Sequence, residues 1–79
     1  MNDDKNFDKR NELNAELAQL MSNLSENTSP IGDWKVIKIY EARLNGEEDP
    51  YNYAVLAEAR KAARRRINAI QDELEKLDK

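Results

Sequence analysis

The stretch Leu56-Ala57-Glu58-Ala59-Arg60-Lys61-Ala62-Ala63-Arg64-Arg65-Arg66-Ile67-Asn68-Ala69-Ile70-Gln71-Asp72-Glu73-Leu74-Glu75-Lys76-Leu77 decides the fold. Leu56, Ala59, Ala63, Ile67, Ile70, Leu74 and Leu77 recur in it at alternating spacings of about three and four residues, which lines them up along one side of an α-helix. A strand returns to the same face every second residue and cannot produce this period. So long a seam needs apolar cover along its whole length, and the rest of the chain is too short to supply all of it. Leu56, Ala63, Ile67, Ile70, Leu74 and Leu77 are therefore expected to form an interaction seam against a second copy or another helical protein.

Upstream of the seam, Asp49-Pro50 has the form of a helix cap followed by a first-turn proline, which predicts a helix over residues 50–77. Asn45-Gly46 supplies a stop for the helix before it, since glycine readily takes the left-handed conformation that closes a helix. Ser29-Pro30 repeats the start signal and predicts that preceding helix over residues 30–45, with Trp34, Ile37 and Leu44 along one side and Val36 and Tyr40 on the neighbouring strip. A first helix is expected over residues 6–24, with Leu13, Leu17, Leu20, Met21 and Leu24 on one face and Asp3, Asp4 and Asp8 complementing the positive end of its dipole.

The expected fold is thus all-α: a single helical domain spanning residues 1–79, built as a helical hairpin or a three-helix bundle with a long C-terminal coiled-coil-like helix. At about 1.5 Å per residue the three helices measure roughly 28, 24 and 40 Å. In an up-down-up arrangement the third would outrun its neighbours by about two turns. That overhang would carry Leu74 and Leu77, and pairing two overhangs about a two-fold axis predicts a homodimer.

Composition narrows the function. The 79 residues are 37% charged and 39% hydrophobic with only two glycines and two prolines, a balance suited to amphipathic helices. A single core in a chain this short supplies roughly 3–5 kcal/mol of net stability, so close helix contacts or association must contribute. The net charge of −3 gives no global attraction to nucleic acid or anionic membranes. Without cysteine there is no disulfide framework and no thiolate metal site. The acidic residues near Met1 do not resemble a secretory leader, and no apolar run reaches membrane-spanning length, so a cytoplasmic location is expected.

Histidine and cysteine, the commonest groups for nucleophilic and acid–base work, are both missing. The carboxylates fall in a polar turn, Glu47, Glu48 and Asp49, or on an exposed helix face, Asp72, Glu73 and Glu75, where no burial tunes them. The turn also lacks the alternating acidic pattern and distal glutamate of an EF-hand. No catalytic residue, cofactor site, metal site or small-molecule substrate is expected.

The sharpest charge feature is the run Arg60-Lys61-Ala62-Ala63-Arg64-Arg65-Arg66. Arg60, Lys61, Arg64 and Arg65 share a helix face from which they could follow the phosphates of a polyanion. No aromatic residue is interleaved for base stacking, however, and the run lies well inside a long helix. Ion pairing, with arginine stems covering the apolar seam, is the competing use of these cations.

The stretch Ile31-Gly32-Asp33-Trp34-Lys35-Val36-Ile37-Lys38, then Tyr40-Glu41, a tyrosine-bearing turn and Arg64-Arg65-Arg66-Ile67-Asn68-Ala69-Ile70, resembles a pattern in small helical proteins of unknown function from bacterial genomes and prophages. Some of these are encoded beside phage tail genes. The resemblance implies an interaction module and points to no catalytic residue. The leading expectation is accordingly a noncatalytic helical protein–protein interaction module, in a phage or prophage accessory role. A small nucleic-acid-binding regulator using the Arg60 to Arg66 cluster is the alternative.

Overall fold

The computed structural model describes the backbone of residues 2–77 and the side chains of residues 7–77. Among the described residues there are three helices and no strand: α1 Asn2–Ser25, α2 Asp33–Leu44 and α3 Tyr53–Leu77. Asp3 and Asp4, expected to complement the start of α1, lie outside the described side chains.

The helix starts differ from those the sequence suggests. Ser29 does not cap a helix beginning at Pro30. Its hydroxyl accepts the Ile31 N–H at 3.3 Å and its carbonyl accepts the Trp34 indole N–H at 2.7 Å, building a tight turn that delays α2 to Asp33. Gly32 occupies the α2 N-cap with no side-chain cap bond. A Cβ there would press on the Glu26 carbonyl and stand 2.9 Å from Trp34 Cδ1, so the close approach at this turn requires glycine. Asp49-Pro50 is likewise no cap, because Arg43 holds Asp49 through two hydrogen bonds of 2.9 and 2.8 Å. The cap of α3 is Asn52, whose Oδ1 accepts the Val55 N–H at 3.2 Å. Gly46, at φ 72°, ends α2 in the left-handed conformation as the sequence suggests.

Direction is the larger correction. Arg60 on α3 reaches Leu24 on α1, and Arg66 reaches Glu16, so six residues forward along α3 correspond to eight residues back along α1. The two long helices are antiparallel, whereas an up-down-up bundle would make them parallel. Asp33, at the start of α2, meets Arg60, while Arg43, near its end, stacks on Tyr53 with the guanidinium 5.0 Å from the ring centre. α2 therefore travels against α3 in the same sense as α1. The ascending leg of this long hairpin is α1 followed by α2, broken at residues 26–32, and the descending leg is α3. Extents of 60 × 19 × 15 Å fit a two-helix layer better than three helices side by side.

This arrangement removes the overhang. Beyond the Arg66–Glu16 contact, Leu13 of α1 and Ile70 of α3 are both buried, Ile70 completely. Leu56, Ala63 and Ile67 are buried along the same seam, and Leu74 and Leu77 are half-buried. The seam expected to meet another molecule is instead largely covered by the chain's own helices, and the overhang that suggested a homodimer does not exist. On α1, Leu17, Leu20 and Leu24 are half-buried as their spacing suggests, while Met21 at the edge of that face is exposed.

Arg66 and Glu16 clamp the two long helices with a paired contact, Nε to Oε2 at 2.6 Å and Nη2 to Oε1 at 2.9 Å. The hydrogen bond from Arg66 holds the Glu16 carboxyl below its ordinary 4.5, and the bond from Arg43 holds Asp49 below 3.8. A carboxyl whose folded pKa is depressed binds fewer protons folded than unfolded, so its contribution to stability is present above the unfolded value and lost as pH falls through the folded one. Thermal stability is expected to decline on acidification below about pH 4.5, and Glu16→Gln should flatten that decline. Melts followed by circular dichroism at a series of pH values provide the check.

Candidate functional site

The basic run on α3 divides by its surroundings. Arg60 is buried, at the point where α1, the 26–32 turn and α2 converge. One of its terminal nitrogens donates to the Leu24 carbonyl at 3.3 Å and the Ile31 carbonyl at 2.7 Å, and the other donates to Asp33 Oδ1. A fixed guanidinium fork can satisfy three acceptors in different directions, which a lysine ammonium on a flexible stem does less well. Arg60 was expected among the polyanion-binding residues; the structure instead commits it to joining the helices. Arg66 is engaged with Glu16, whose carboxylate bond also raises the arginine's own pKa. Lys61, Arg64 and Arg65 remain exposed, and among the described residues Lys61 pairs with Glu58 at 3.9 Å. Arg66 is exposed as well, so four cations of the run face solvent and one of them is held by Glu16.

The apolar face of α2 also differs from expectation. Ile39 and Ala42 enter the core and Trp34 is half-buried, but Ile37, Tyr40 and Leu44 stand 54%, 63% and 69% exposed. Spacings of three and four residues align these three side chains on the side of α2 away from Ile39 and Ala42. Trp34, placed beside Ile37 and Leu44 by the sequence reading, packs edge-on against Tyr51 with ring centres 5.7 Å apart. Lys35 lies over both rings, at 5.6 and 4.7 Å. These cation–π contacts fix one edge of α2 to the turn that leads into α3.

Two depressions flank the α2–α3 pair. The larger, about 350 Å³, lies on the Lys35 edge and is mostly apolar, with Ile31, Tyr51, Val55, Leu56 and Ala59 in its wall. The other, about 180 Å³, lies on the opposite edge between Val36 of α2 and Tyr53, Ala57, Arg60, Lys61 and Arg64 of α3. Val36, Tyr40 and Leu44 recur every fourth residue, as do Tyr53, Ala57 and Lys61. Val36 on α2 faces the α3 row Tyr53, Ala57 and Lys61 across the trough, and rows of this spacing are what a further helix packs against. The trough is apolar toward Tyr53 and cationic toward Lys61 and Arg64.

Of the seam residues, Leu56, Ala63, Ile67 and Ile70 meet in the intrachain core, while Leu74 and Leu77 sit at its half-open far end. The exposed α2 face was missed because apolar side chains surround much of this short helix, leaving its core side undecided. Its usable signal was the spacing of Ile37, Tyr40 and Leu44 taken apart from Trp34. Among the described residues, no group of three or more histidine, cysteine, aspartate or glutamate side chains is placed to hold a metal ion. Nor is any helix among them long and apolar enough to cross a membrane. Comparison with protein-family models, curated proteins and solved structures finds no match to this chain.

Proposed function

We propose that this chain is a noncatalytic, cytoplasmic protein–protein interaction module that receives a helix of another protein on α2. The observation carrying this reading is the exposed row Ile37, Tyr40 and Leu44, large apolar side chains left in water by a hairpin that buries its other strong apolar seam. Leaving such side chains exposed forgoes roughly 1.5–3 kcal/mol each relative to full burial, a sizeable driving force for association. The resemblance to phage-associated small helical proteins suggests an accessory role in an assembly.

A photo-crosslinking residue placed at Tyr40, with a second variant carrying it at Glu75 as control, tests the reading in the cells that make the protein. Discrete protein adducts from position 40, absent from position 75 and lost on Leu44→Glu, are expected. Equal adducts from both positions, or none from position 40, would contradict it.

The alternative reading, a nucleic-acid-binding regulator, is supported by the exposed cations Lys61, Arg64 and Arg65. With Arg60 buried and Arg66 held by Glu16 at the surface, few charges remain for phosphate contacts. Mixed-sequence duplex DNA is therefore expected to bind no tighter than about 10⁻⁴ M at physiological salt, measured by fluorescence anisotropy. Micromolar affinity that falls steeply with salt and disappears in Arg64→Gln, Arg65→Gln would favour the regulator.

A further inference from the structure

We infer that the trough between α2 and α3 binds an acidic amphipathic helix, with apolar side chains seated between Val36 and Ala57 and carboxylates meeting Lys61 and Arg64. This deepens the interaction-module reading and rests on it.

The shape of the site argues for a helix. α2 and α3 run antiparallel with Val36 facing the α3 row Tyr53, Ala57 and Lys61 across the trough, and two helices with an open edge lack the third that would complete a bundle. Tyr53 lines the apolar end of the trough, and Tyr40, one turn on from the wall residue Val36, is exposed on α2. Large, semi-rigid aromatic groups give extensive contact at little conformational cost.

The charge of the site chooses among helices. Two of the four unburied cations of the basic run, Lys61 and Arg64, line the trough itself, and no carboxylate lines it. Arg43 beside Tyr53 is already neutralised by Asp49 and Lys61 pairs loosely with Glu58 at 3.9 Å, so among the described residues the trough's positive charge without a carboxylate partner is that of Arg64. A partner with glutamates or aspartates flanking its apolar stripe at that end answers the charge, and a basic helix is repelled. The same charges also set the helix's direction in the trough, because its acidic end must lie toward Arg64. On the far side of α2 the neighbouring charged residue is Glu41, which disfavours an acidic partner sliding over that flank.

The test uses two designed peptides of about 18 residues with an identical leucine stripe, one flanked by glutamates at one end and the other by lysines at the same positions. Each is titrated into the isotope-labelled full chain, with amide shifts followed by nuclear magnetic resonance. The glutamate peptide is expected to bind at least about tenfold tighter, to shift amides across residues 36–44 and 53–64, and to lose affinity as salt is raised. The double variant Lys61→Glu, Arg64→Glu, whose exposed side chains leave the fold intact, should invert the preference, and Tyr40→Glu should weaken both peptides. If both bind the trough equally, the interaction-module reading survives and the charge inference fails. If neither binds, both fail. A concentration-dependent dimer of the native chain in sedimentation equilibrium, dissolved by Tyr40→Glu, would make the occupant a second copy and overturn the inference.

Discussion

Arg60→Met is expected to lower the melting temperature by roughly 10–30 °C, or to leave the chain unfolded at room temperature, although methionine preserves most of the apolar stem. The guanidinium is buried and answers the carbonyls of Leu24 and Ile31 as well as the Asp33 carboxylate. Removing it strands two backbone acceptors near the end of α1 and in the turn that follows, at about 1–3 kcal/mol each where water cannot replace the donor. Against the roughly 3–5 kcal/mol available to a chain of this size, that loss decides whether it folds. Arg60→Lys should fall between, since an ammonium cannot reproduce the fork. Arg65→Met, with its cation exposed about one and a half turns further along, should melt like the native chain. Thermal melts of the three variants make the comparison.

Ile70 gives the second large effect. Its side chain is completely buried. Ile70→Ala is expected to cost about 2–5 kcal/mol through lost burial and the cavity left behind. Ile70→Asp should prevent folding, because an unpaired carboxylate has no partner there. Ile67→Asp acts in the same way from the centre of the seam. Ile37→Asp, on the exposed side of α2, should change stability little. Denaturant titrations monitored by circular dichroism separate these outcomes. A native-like midpoint for Ile70→Asp would mean that α1 does not cover α3.

These effects mark what was legible in the sequence. The α3 seam could be read because Leu56, Ala63, Ile67 and Ile70 hold a helical period while the intervening positions are polar or small. Which helix covers that seam could not, because periodicity identifies a buried face without naming its neighbour. The sense of the hairpin depends on whether the chain reverses at residues 26–32 or continues past them, and that is settled by tertiary contacts from Arg60. Arg60 was itself half-legible. It stands between Leu56 and Ala63 at seam spacing, yet its place in the run Arg60–Arg66 disguised a buried cation as one more surface charge. On α2 the apolar residues crowd too many faces for a twelve-residue helix to declare its core side. There Ile39 and Ala42 turn inward, and the face left outside became the candidate site.

The starts of α2 and α3 failed for a local reason. Ser-Pro and Asp-Pro are equally good turn formers, and each is drawn into another contact here, Ser29 by the Trp34 indole and Asp49 by Arg43. The capping role at α3 passes to Asn52, an ordinary N-cap residue only three positions downstream of Asp49.

In this fold α1 closes the α3 seam and leaves α2 with the open apolar face. Carbene footprinting of the native chain, with labelling assigned residue by residue by mass spectrometry, measures this directly because the reagent inserts into exposed aliphatic and aromatic side chains. Ile37, Tyr40 and Leu44 are expected to label heavily while Ile67 and Ile70 stay nearly unlabelled. Labelling of Ile67 and Ile70 as strong as that of Ile37 and Leu44 would contradict the account and return the open face to α3.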